Sequence, residues 1–158
     1  MDEHTRAADV PPPAGDPTGW RADGRWEHAT LRRATVHGVR LFNDGAYHDA
    51  HDCFEDEWYN YGQGSTESRF LHGMVQVAAA GLKYEHGDEA GLASLVRSAS
   101  QYLHGVPGDF YGVDVTRVRE RLQAAQRDAD AYDGWQVHLD GATPVAGPAD
   151  DEYVAGIE

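Results

Sequence analysis

The stretch from Ser68 to His86 restricts the fold more than any other. Phe70, Met74, Val77, Ala78, Gly81 and Leu82 recur at three- and four-residue intervals. That is the period of an α-helix buried over a wide arc. A helix so apolar needs other amphipathic helices to cover it, and the rest of the chain supplies them. Leu31, Thr35, Val39 and Phe42 share one stripe of a helix from Trp26 to Asn43. Tyr47, Ala50, Phe54 and Trp58 do the same from Ala46 to Tyr59. Leu92, Leu95, Val96, Ala99 and Leu103 mark a fourth helix, and Val115, Val118, Leu122 and Ala125 a fifth. Gly45 and Gly87 stand where helix ends call for a left-handed residue. Asp88 and Asp114 stand where helix starts call for a side-chain acceptor.

No strand ladder is evident. The expectation is an all-α protein, a multihelical bundle of about five helices built from antiparallel hairpins. The bundle occupies residues 25–132. Residues 1–24, with Pro11-Pro12-Pro13 and Pro17, read as a flexible acidic tail. Residues 133–158 read as an extension in which "WQVHLDG" runs extended along the bundle and Pro144 to Glu158 are loose.

Charge narrows the partners. The 158 residues carry 27 acids against 13 bases, a formal net charge of −14, and Lys83 is the single lysine. Such a surface repels nucleic-acid phosphates and anionic lipid. The acids are spread along the chain, which predicts a protein adapted to concentrated salt, where screening removes self-repulsion; it should unfold when salt is withdrawn. The longest apolar run, Val75 to Leu82, is too short to span a bilayer. No apolar run with a basic start occupies residues 1–20, and Cys53 has no second cysteine to pair with. The expected setting is cytoplasmic.

The chemistry concentrates in "FNDGAYHDAHDCFEDEWYN", Phe42 to Asn60. With Tyr47 at zero, His51 falls at about 40° and Glu55 at about 80° around the helix, on or beside the apolar stripe. Most of the other acids fall opposite, toward water, and Cys53 falls at about 240°, off the stripe. Its acidic neighbours disfavour a thiolate. His51 and Glu55 are one turn apart, so their side chains can meet. The pair can act as a hydrogen bond that fixes the imidazole, or as two ligands for a divalent metal. On the next helix His72 and Gln76 share a narrow polar face. If that face turns toward the second helix, a pocket forms from Asn43, Tyr47, His51, Glu55, Trp58, His72 and Gln76. The candidate metal ligands are His51, Glu55 and His72, and the candidate catalytic residues are His51, Asp52 and Glu55. No nucleotide-binding glycine loop, zinc-protease helix motif or nucleophile elbow is present.

The segments "LFNDGAYHDAHDCFEDEW", "FLHGMVQVAAAGLKYEHGDEAG" and "YGVDV" resemble the family called domain of unknown function 309, across about residues 36–125. Its pattern is roughly F-N-x-G-x-Y-x-E-A-H-E-x-x-E-x-x-W. Phe42, Asn43, Gly45, Tyr47, Ala50, His51, Glu55 and Trp58 stand at the matching places. Asp49 and Asp52 replace two glutamates, Asp88 an asparagine, and Met74-Val75 a Leu-Ile pair. The shorter reach of Asp52 weakens it as a metal ligand. The resemblance implies a multihelical bundle, a haloarchaeal-type member given the composition, and no established activity. It adds weight to His51, Glu55 and Gln76.

Two functions are consistent with these residues. One is a non-enzymatic helical module that binds a protein or small molecule, with His51 and Glu55 as a polar pair between helices. The other is a metal-dependent hydrolase-like enzyme using His51, Glu55 and His72.

Overall fold

Among the described residues, six α-helices and one small hairpin form most of the structure. The computed structural model describes residues 10–157. The helices are α1 (Ala29–Asn43), α2 (Tyr47–Trp58), α3 (Thr66–Glu85), α4 (Glu89–Leu103), α5 (Val115–Arg127) and α6 (Pro148–Ile157). A two-residue antiparallel hairpin, β1 (Asp109–Phe110) with β2 (Val113–Asp114), precedes α5. A 3-10 turn follows α5 at Ala129–Tyr132.

The expected caps form. After α1, the Gly45 and Ala46 amides bond the carbonyls of Phe42 and Leu41 at 3.0 and 2.9 Å, with Gly45 at φ +79°. This closure of orphan carbonyls turns the chain back into α2. Asp88 accepts from the Gly91 amide at the start of α4, and Asp114 from the Arg117 amide at the start of α5.

The helix α3 lies centrally, as its apolar arc requires: Phe70, Leu71, Met74, Val77, Ala78 and Ala80 are all buried. It runs between α2 on one side and α4 on the other. Two glycines set the spacing. A Cβ on Gly81 would stand 2.5 Å from the Tyr47 ring, and one on Gly38 would stand 2.5 Å from the Phe54 ring. The backbones of α3 and α1 are thus placed directly against aromatic rings of α2.

Several expectations need correction. The all-α expectation holds, and the described residues form six helices and a small hairpin where about five helices were expected. The segment Pro144 to Glu158 is not loose where it is described: α6 packs on α1 and α2, burying Val154 and Asp150. Helix α6 is short and its apolar residues are not confined to one face, so it gives little periodic signal, and Val154 is its one buried apolar residue. The stretch "WQVHLDG" does run extended on the bundle, with Trp135, Val137 and Leu139 buried. Of the expected tail, residues 1–9 lie outside the described residues. Residues 10–24 lie on the body: the Trp26 indole donates to the Pro11 carbonyl at 2.8 Å, and Thr18 bridges Phe110. No described helix is long and apolar enough to cross a membrane.

Candidate functional site

The rotation of α2 decides which of its side chains are available. Ala50, Cys53, Phe54 and Glu57 are buried. Tyr47 and Trp58, expected in the dry stripe, are only half-buried. The dry arc is therefore turned toward Cys53, which the expected stripe had excluded. The cause is α6, which contacts this flank of α2 and was not foreseen. Burial first, then Asp52 and further acids, push the Cys53 thiol up to about 12, so it stays protonated.

The opposite flank carries a row of imidazoles and carboxylates. His48 Nδ1 lies 3.4 Å from Asp52 Oδ2. Asp52 Oδ1 lies 3.2 Å from His51 Nδ1, and His51 Nε2 lies 3.4 Å from Glu55 Oε2. Helical spacing accounts for the His48–Asp52 and His51–Glu55 contacts, each four residues apart, and His51 turns toward its chain neighbour Asp52 to join them. The His51 side chain is 26 % exposed and that of Glu55 41 %. The pair is thus open to solvent, not a sealed hydrogen bond between helices.

The helix α3 completes the face. The antiparallel register follows from two contacts: Tyr47 against Gly81, and the Trp58 indole donating to Ser68 Oγ at 2.9 Å. That register sets His51 level with Gln76 and Glu55 level with His72. Gln76 is half-buried, and among the described residues no hydrogen bond joins it to His51. His72 does face this side. Its ring stacks on Tyr102 at 3.9 Å and tilts against Trp58 at 4.6 Å.

Burial holds the His72 pKa below its ordinary 6.5, opposed by the charge of Glu55. The sign is as follows. Above 6.5 the ring is neutral in both folded and unfolded chains. Below it the unfolded chain binds the extra proton first, so His72 contributes stability that declines as pH falls through its folded-state pKa. The expected result is a stability loss on acidification below about 6.5 that is reduced in His72→Gln. Urea unfolding at several pH values measures it, and equal slopes for both proteins would contradict it.

Two expected pocket residues lie elsewhere. Asn43 does not reach His51: its amide holds residues 137–144, donating to the Val137 and Pro144 carbonyls at 3.0 and 2.8 Å. Tyr47 wedges against Gly81 and meets Phe42 edge-on at 5.1 Å. Both serve packing, at the end of α2 remote from Trp58.

Sequence reasoning passed over Glu57. It is 4 % exposed, and its Oε2 accepts from Thr30 Oγ1 at 2.9 Å and from the Tyr61 hydroxyl at 2.7 Å. Burial, then the bond to Glu57, raises the Tyr61 pKa, so that hydroxyl remains a donor. The available signal was the Glu57–Tyr61 spacing of one turn, together with the arc shared by Ala50, Phe54 and Glu57.

Among the described residues, His48, Asp49 and Asp52 gather one ligand atom each within 4.8 Å of one another. His51, Glu55 and His72 do not gather in that way, so the candidate metal set moves one turn toward the start of α2.

Residues 35–95 match the family model described as Domain of unknown function (DUF309). No curated protein matches the chain. The matched span begins in α1 and ends in α4, and so contains the whole α2–α3 face.

Proposed function

We propose, taking the DUF309 match over residues 35–95 as the premise, that the chain is a non-enzymatic helical binding module. Its recognition surface is the α2–α3 face bearing His48, His51, Asp52, Glu55, Trp58 and His72. The observation that carries this reading is the environment of His51. Carboxylates stand at both of its ring nitrogens, at 3.2 and 3.4 Å. A neutral imidazole donates from one nitrogen and a charged one from both. Only the charged form donates to both carboxylates, so this setting suits His51 as a bridge between two acids better than as a metal ligand. The ring positions two carboxylates on an open face flanked by Trp58 and Tyr102. Fixed acids beside aromatic rings suit a partner that presents a cationic group, and rings supply contact area at low entropic cost. The spread of acids and the single lysine support a salt-rich cytoplasm as the setting, with a haloarchaeal-type origin.

The alternative is a metal-dependent hydrolase-like activity, favoured by the gathering of His48, Asp49 and Asp52. Metal analysis separates the two. Protein purified without chelator, as wild type and as His48→Ala, should carry far less than one equivalent of transition metal and melt at nearly the same temperature. A stoichiometric metal, lost in His48→Ala while the fold is kept, would favour the enzyme.

A further inference from the structure

The helices α1, α2 and α6 leave between them a cavity of about 540 Å³, within the size range of small-molecule sites. It lies on the flank of α2 opposite the recognition face. Thr30, Arg33, Asp56, Glu57, Glu152 and Tyr153 contribute to its wall. Glu57 is its chemically distinctive member. Both hydroxyl donors, Thr30 and Tyr61, are drawn onto one oxygen, Oε2. Among the described residues no hydrogen bond reaches Oε1. Nor is Oε1 among the sealed side-chain atoms of the described residues that lack a hydrogen bond, such as Arg32 Nε and Thr35 Oγ1. Glu57 lines the cavity and is 4 % exposed, so its unused oxygen opens into that space.

A carboxylate oxygen held in a largely buried site calls for a donor. Among the described residues, three carboxylates and one guanidinium line the wall. Asp56, Glu57 and Glu152 do not gather their oxygens as His48, Asp49 and Asp52 do, so a ligand with spaced charges fits better than a bare metal ion. We infer that the cavity binds a small organic polyamine, with one primary ammonium donating to Glu57 Oε1 and a second group reaching the acids at the rim. No bond is made or broken; this is a binding site.

Spermidine titrated calorimetrically into the full chain at fixed ionic strength tests it. Saturable one-site binding is expected. Glu57→Gln should weaken it about tenfold, the scale of one charge-assisted hydrogen bond. The glutamine oxygen still accepts from Thr30 and Tyr61, so the melting temperature should hold. Glu152→Gln, exposed on α6, should weaken binding about threefold. Magnesium chloride at equal charge concentration should not displace the ligand. Absence of saturable heat, equal affinity in wild type and variants, or displacement by magnesium would each overturn the inference. If Glu57→Gln fails to fold, the Glu152→Gln and magnesium measurements decide.

Discussion

Replacing Arg32 with alanine lowers folding stability by about 3–5 kcal/mol, the usual cost of removing one partner from a buried ion pair. Arg32 is 5 % exposed on α1. Its Nη2 meets Asp140 Oδ2 at 2.6 Å, and its Nη1 reaches Asp140 Oδ1 at 3.3 Å and the Tyr111 carbonyl at 2.7 Å. The guanidinium lies 4.9 Å over the Trp26 ring. One side chain thus ties α1 to the segment before it, to the β1–β2 turn and to the C-terminal stretch. Tyr111 and Gly112 at that turn both take positive φ, 52° and 94°, so the carbonyl is presented by an unfavourable backbone conformation that Arg32 helps to hold. Alanine leaves the carbonyl and the Asp140 carboxylate without this donor and removes the planar stack. Lysine cannot restore it, because a single ammonium does not serve a carboxylate and a carbonyl with a guanidinium's fork geometry. Urea unfolding at constant salt measures the change. The exposed Arg25–Asp23 pair is the control: Arg25→Ala should cost less than about 1 kcal/mol. An Arg32→Ala cost no larger than the control's would contradict the assignment.

The second large effect is expected at Asn43, at about 2–4 kcal/mol for Asn43→Ala, since several backbone groups lose their partner together. The side chain makes three bonds to one remote segment: the two donated bonds described above, and one accepted from the Val137 amide at 2.7 Å. It acts as a short strand partner for residues that have no strand beside them at that point. Asn43→Asp should be nearly as costly, because the carboxylate keeps the bond from Val137 but faces two carbonyls. Faster hydrogen exchange at the Val137 amide, with exchange in α3 unchanged, would localise the loss. Unchanged stability and exchange would mean that the segment is held by its buried Trp135, Val137 and Leu139 alone.

The two residues show how far the sequence could be read. The helical stripes on α1 and α3–α5 and the caps at Asp88 and Asp114 were legible, because local spacing and side-chain chemistry decide them. Asn43 was expected beside His51, whereas its side chain holds residues 137–144. Its partners lie more than ninety positions away, at Val137 and Pro144, and no local pattern encodes that. Arg32 drew no attention for the same reason. The reading of α2 erred by a rotation. The 3.6-residue period gives one apolar arc, yet α2 is covered from two sides, and the covering α6 left almost no periodic signature. Cys53 and Glu57 were hidden by that error, while His51, Asp52 and Glu55 stand together in sequence and lie together on the open flank.

A photo-crosslinking residue at Tyr59, which is 73 % exposed beside the recognition face, addresses the binding reading most directly. The protein is irradiated in cells in three backgrounds: wild type, Asp52→Asn with Glu55→Gln, and a control charge removal at Glu120 on α5. A recurrent crosslinked partner is expected in the wild type and the Glu120 control, and its loss in the double variant while the fold is retained. A partner captured equally in all three, or none captured from this face, would contradict the reading of α2 and α3 as a recognition surface.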